Sequence, residues 1–460
     1  MKKLLLAGGI LLLGGPPTPL HAQGTCRIIE VPGSNNQFSN AGTPHETVVI
    51  TCGAHIICGS RTLRAETATR IAASQRIELF GNVRVEDAGR TLTAQEATFF
   101  AGTRQLAARV NVVIRDLQTG SSIRGDLVDY YQESETRPEA RIEAVGTSRP
   151  ARAVLFQAGE TADSTIVDAS QITVIGERSF VAVGNAVMTR DSMRATGFTI
   201  QYTQQSGELQ VVRDGLVQLP NQEMRGDSIN ATIGDDDELR EVLTRHGASI
   251  VSEEMNVTAP AIRLELEDGG VTRMVAMAWP AASGALTSPR PRVEAEEFIM
   301  ESDSIDVLAP GGQIAEAWAI GDAYGARIAP DSLTAMLPET TPEMLALISS
   351  DWMRGDTVRA TFIENPALAD DPAATERVLD RLMAAGSPAV SVYRMHAENS
   401  TDERLSINYL TAARIEVAFV NGAVSVVSAE GNARGMYLQP APPPATRSGS
   451  NGRGVEPGGQ

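Results

Sequence analysis

Histidine, cysteine and paired carboxylates are the side chains from which this chain would have to build any chemistry, and their placement offers little. The five histidines, His21, His45, His55, His246 and His396, include no pair at metal-ligand spacing on a common face, so no zinc or copper site is expected. Neither a Gly-x-Ser-x-Gly nucleophile turn nor a glycine loop that would cradle phosphate occurs. The acidic pairs Glu253-Glu254 and Glu296-Glu297, and the run Asp235 to Glu238, fall at expected turns and corners, as solvated residues rather than an acid–base stack. Arg-Gly-Asp occurs from Arg124, Arg225 and Arg354, each time at one phase of an internal repeat, which explains it better than cell adhesion does. We expect no catalytic residue, no metal and no cofactor.

What remains is binding by apolar surface. A ten-residue pattern recurs with apolar residues at places 1 and 3 and again at 6, 8 and 10. It is clearest in MRATGFTIQY from Met193, MRGDSINATI from Met224, VTAPAIRLEL from Val257 and MRGDTVRATF from Met353. The segments from Leu92, Ile123 and Val293 fit less completely. Successive side chains on a strand face opposite ways, so the two apolar sets are out of phase. Both face inward only if the strand bends or bulges near places 4 and 5, where Gly, Asp, Glu, Ser and Thr cluster. The pattern therefore predicts repeated strands that turn a corner between two sheets around one apolar interior. A strand with Gly or Val followed by Asn or Asp usually precedes it, as at Gly81-Asn82, Val110-Asn111, Gly184-Asn185, Gly321-Asp322 and Gly431-Asn432.

The inward set is mid-sized and aliphatic: Ile77, Leu79, Val83, Val85, Leu92, Val112, Ile114, Ile123, Ile200, Ile262 and Leu264, with Phe198 the one aromatic. These residues are the candidate lining of a groove for acyl chains. A dry core is the other reading of the same residues.

Composition narrows the classes. Only 4% of the 460 residues are aromatic, and the formal net charge is −18 with no basic patch, so nucleic acid has no electrostatic footing as a partner. Alternating Val, Ile, Thr and Ala segments bounded by Gly, Asn and Asp make the fold all-β. Two stretches, Pro342 to Trp352 and Pro372 to Ala385, have helical periodicity and begin with Pro, so small helical insertions are expected there.

Residues 1–22 read as a cleaved secretory signal, with Lys2 and Lys3 before an apolar run too short to span a bilayer. Of the three cysteines outside the cytoplasm, Cys52 and Cys58 flank the turn at Gly53 and are the candidate disulfide, though the connectivity stays open. Along the chain we expect a lead-in at 23–50 with a loop from Ser34 to Gly42, β blocks at 51–160, 161–280 and 281–438, and a disordered Pro/Gly/Ser tail at 439–460.

The run Arg76-Ile77-Glu78-Leu79-Phe80-Gly81-Asn82-Val83, followed by Arg90-Thr91-Leu92-Thr93-Ala94-Gln95-Glu96-Ala97, resembles the organic-solvent-tolerance (OstA-like, LptA) family of periplasmic lipopolysaccharide-transport proteins. That family's signature is a Gly-Asn-Val strand followed by an Ala-Asp/Glu corner, and both halves recur here at Gly184 with Ala195. The resemblance covers residues 65–156 and extends more loosely to about 280. It implies an open β-jellyroll of stacked rungs in the periplasm, with lipopolysaccharide or a similar glycolipid as ligand. It also implies other envelope transport components as partners through edge-strand pairing, and self-association. The chain departs from the family in its length and in the expected insertions, and it lacks the aromatic-girdled strands of the outer-membrane barrel partner. The alternatives are a structural or adhesive β-solenoid without ligand, and a carbohydrate-active β-helix, which would need stacked acids and bases.

Overall fold

Alternating branched residues produce strands through most of the described residues. A computed structural model describes residues 26–87, 89–156, 164–234, 238–252, 255–278, 289–295, 298–327, 350–366, 377–395, 406–420 and 423–438. The expected signal and tail lie outside the described residues. The chain forms two compact units, 1–178 and 179–460.

The first unit opens with six short strands, β1 (Cys26–Ile28), β2 (Asn35–Ser39), β3 (Thr47–Thr51), β4 (Ala54–Cys58), β5 (Arg61–Ala65) and β6 (Thr67–Ile71). Four long strands follow, β7 (Arg76–Asp87), β8 (Arg90–Phe100), β9 (Gln105–Asp116) and β10 (Ser122–Tyr131). Four short ones close it, β11 (Arg141–Val145), β12 (Ala151–Leu155), β13 (Thr165–Ala169) and β14 (Gln171–Ile175). The strands of this unit bond into one continuous sheet, and the two halves of each long strand lie on either side of a bulge in it. One half of β7 pairs with β5 and the other with β6, and at the far end β10 splits between β12 and β11. We call the two sides of the sheet arms.

The second unit repeats the design. Its long strands are β15 (Ser179–Arg190), β16 (Met193–Thr203), β17 (Glu208–Leu219), β18 (Gln222–Ile233), β19 (Leu239–Ser252) and β20 (Met255–Glu267). The halves of β20 pair with β21 (Gly270–Met277) and β22 (Arg292–Ala295). Next come β23 (Phe298–Glu301) and β24 (Ser304–Leu308), which pair with the two halves of β25 (Glu316–Arg327). The strands β26 (Asp351–Glu364), β27 (Arg377–Met395) and β28 (Ser406–Val420) continue the stack, and β29 (Ala423–Glu430) and β30 (Arg434–Leu438) each pair with one half of β28.

The arms meet along a crease built by left-handed residue pairs. Gly81 and Asn82 have φ of 77° and 44°, Gly184 and Asn185 84° and 48°, and Gly321 and Asp322 85° and 41°. Across it the register jumps from Phe80↔Glu96 to Val83↔Ala94, two residues against one, so inward positions on both sides stay inward. Gly81 is required there: its φ is positive, and a Cβ would run into the Glu66 side chain. Asn and Asp follow because they tolerate the left-handed region best among other residues. Backbone bonds run along the crease from rung to rung: Gly53 N–H donates to Glu66 O and Glu66 N–H to Gly81 O, each at 2.9 Å.

Two local expectations are corrected. Among the described residues there is no α-helix, and 3₁₀ geometry occurs only at Pro310–Gly312 and at Pro366. Ser350 is a bend, Asp351 and Trp352 begin β26, and Arg377 to Ala385 form the first half of β27; residues 342–349 and 372–376 of the two expected insertions lie outside the described residues. Leu382 and Ala384 show the period-2 burial of a strand, because pairing to β26 and β28 on both sides overrides a local 3.6 period. The expected loop from Ser34 to Gly42 contains β2, which is fixed by its backbone pairing to β3.

Candidate functional site

The interior between the arms is aliphatic. Eleven of the twelve predicted lining residues are buried, from Leu79, Val112 and Ile200 at 0% exposure to Ile123 at 4%. Phe198 is the correction: it is 41% exposed and lies under the Arg213 guanidinium, 4.6 Å from ring centre. The cause is phase. Val217 pairs with Ala195 on one side and Met224 on the other, and Val211 pairs with Ile200 and Ile229. The copy from Met193 therefore runs two residues out of step with the copy from Met224. Phe198 falls at the outward corner, matching Asp227, instead of at an inward place.

At the free edges of the arms, away from the crease, arginines reach across the gap. Arg61 pairs with Asp87 at 2.8 Å, both nearly fully buried, and stacks over Phe99 of the opposite arm. Gln132 of that opposite arm also donates to Asp87. Arg90 pairs with Asp116 at 3.0 Å and donates to the Tyr130 hydroxyl across the gap at 3.3 Å. In the second unit Arg190 lies over Tyr202, and Arg327 over Phe419, at 5.9 and 5.6 Å from the ring centres. Partial burial pushes the Asp116 carboxyl up, but bonds from Thr119 N–H, the Arg90 side chain and Gln118 N–H outweigh it and hold it below the usual carboxylate range. The sequence reading missed these residues, although strand parity carries the signal: Asp87 continues the inward series Val83, Val85, and Arg190 continues Ala186, Met188.

A small cavity of about 40 Å³ opens at this rim in the first unit. Its floor is Ile114, Ile123, Ile142, Leu155 and Val174, drawn from both arms, and its rim includes Arg90, Asp116 and Ser121. The aliphatic side chains between the arms are buried, so the arms hold a core with an amphipathic mouth at this rim.

The predicted disulfide is also corrected. Cys58 bonds to Cys26, its register partner across β1 and β4, and Cys52 is free and exposed. Cys52 sits at the crease with φ 60°, which turns it away from the strand that carries Cys58. Among the described residues no group of three or more His, Cys, Asp or Glu could hold a metal ion, and no helix is long and apolar enough to cross a membrane.

Compared with known proteins, the chain matches no family model and no curated protein.

Proposed function

We propose that the chain is a non-enzymatic periplasmic carrier or bridge that holds the acyl chains of lipopolysaccharide or a related glycolipid between its two arms on the way to the outer membrane. One observation carries this reading: each unit encloses an aliphatic interior whose ion pairs and arginine–aromatic contacts sit at the free edges, the arrangement an amphiphile requires. Each methylene shielded there contributes about 0.8 kcal/mol, so a few acyl chains suffice for tight binding without any catalytic group. Chains enter by parting the arms at the rim. The strands β1, β2, β29 and β30 each have one partner among the described residues. Their free backbone groups are where another envelope component, or a second copy, would add a strand.

Mass spectrometry of lipid extracted from the purified protein tests the reading directly. Ile200→Asp and Leu264→Asp should abolish lipid recovery, whereas Thr199→Asp and Arg263→Asp, on the outward face of the same strands, should leave it intact. Circular dichroism must show all four folded. Absence of lipid from the wild type, with equal behaviour of the two pairs, would favour the second reading, a ligand-free structural β-solenoid. The near-complete burial of the interior side chains is the observation on that side.

A further inference from the structure

We infer that the outer face of one arm in the second unit carries a saccharide-binding subsite. A concavity of about 310 Å³ is lined there by Gln201, Gln210, Asn230, Thr203, Thr232 and Glu241. These side chains alternate with Ile200, Tyr202, Leu209, Val211, Ile229 and Val242, which are buried on the inner face. Register sets them in two rows. Gln201 stands beside Gln210, Gln210 beside Asn230, and Asn230 beside Leu243, while Thr203, Glu208, Thr232 and Glu241 follow one another in the same order of strands.

The chemistry of the rows selects a ligand class. A carboxamide presents an acceptor and a two-proton donor, and a threonine hydroxyl does both, so a row of them matches vicinal sugar hydroxyls, themselves donors and acceptors. The three amides have no side-chain partner of their own among the described residues. The two carboxylates are held in place, Glu208 by the Ser206 hydroxyl at 3.2 Å and Glu241 by Arg263 at 3.4 Å. They accept hydroxyl or ammonium protons and repel phosphate, which restricts the class to neutral or amine-bearing saccharides. Leu243 supplies an apolar patch for a sugar's C–H face.

Position gives the subsite its meaning. The rows lie at the strand ends farthest from the crease, beside the turn Gln204–Gly207 at the arm's free edge. An amphiphile with its chains between the arms would put its head group at that edge, and its sugars would turn over the edge onto this face. For its biological ligand the inference rests on the carrier reading, within which it selects a glycolipid whose sugars at this face carry no phosphate; the subsite itself can be tested alone.

The test is saturation-transfer difference NMR on the full chain with millimolar maltotriose and chitotriose as neutral probes, alongside uptake of an uncharged diacyl lipid. Wild type should saturate at least one trisaccharide, and Gln210→Ala combined with Asn230→Ala should weaken that binding about tenfold through the lost hydrogen bonds. No saturation in wild type, or equal saturation in the folded double variant, overturns the subsite, as does displacement of the sugar by inorganic phosphate. Lipid uptake without sugar binding removes the subsite and leaves the carrier reading standing. Sugar binding without lipid uptake supports the subsite and removes the carrier reading.

Discussion

The guanidinium carbon of Arg61 lies 4.5 Å from the centre of the Phe99 ring, although the two residues belong to opposite arms. The same guanidinium is bonded to Asp87 at 2.8 Å, with both side chains at most 5% exposed. Removing one member of such a pair strands the other without compensation, whereas replacing both by apolar groups of similar size is nearly neutral. Arg61→Met should therefore cost about 3 kcal/mol of stability, and Arg61→Met with Asp87→Leu should return to within about 1 kcal/mol of wild type. Urea unfolding of the two single variants and the double variant measures this. A double variant less stable than either single one would refute the pairing.

Val110 occupies the crease position that glycine fills at Gly81, Gly184 and Gly321, with φ of 63° and 47% of its surface exposed. A β-branched residue in that conformation stores roughly 1–3 kcal/mol, more than the extra backbone entropy a glycine brings. Val110→Gly should stabilise the protein by about 1 kcal/mol. A raised urea midpoint with unchanged slope is the expected result, and a lowered midpoint would show that Val110 is not strained.

Cys26 and Cys58 close a loop with a sequence separation of 32 residues. Loop-closure entropy for that length amounts to roughly 3–4 kcal/mol. Cys58→Ser should lower stability by about that amount, while Cys52→Ser should change it by less than about 0.5 kcal/mol. Non-reducing peptide mapping and melting curves with and without reductant check both halves; a reductant effect abolished by Cys52→Ser would reverse the assignment.

Strand identity and the inward set were legible because period-2 burial is a property of the chain's own alternation, as with Ile77, Leu79, Val83 and Val85. The crease was legible in kind, since Gly-Asn pairs and corner acids announce positive φ and solvation. Phase was not: Met193 and Met224 look equivalent by eye, and only the register through Val217 shows that Ala195 is the true counterpart of Met224. The arms' edge contacts were half legible. Parity alone turns Asp87 and Arg190 inward, but nothing local says that an aromatic from the other arm, Phe99 or Tyr202, waits opposite. The segment Arg377 to Ala385 carries a local helical period, but pairing to β26 and β28 on either side makes it a strand, and neither neighbour is visible in its own residues.

The bond between Cys26 and Cys58 also has a mechanical meaning. An edge strand of three residues peels under tension one hydrogen bond at a time, and among the described residues β1 pairs with β4 alone, to which this link also joins it. With the sulfurs joined, a pull on β1 is passed to β4, which is itself gripped by five register pairs to β5. The first edge is thus moored two strands deep, so a chain of such molecules joined end to end would transmit force through this rung without fraying there.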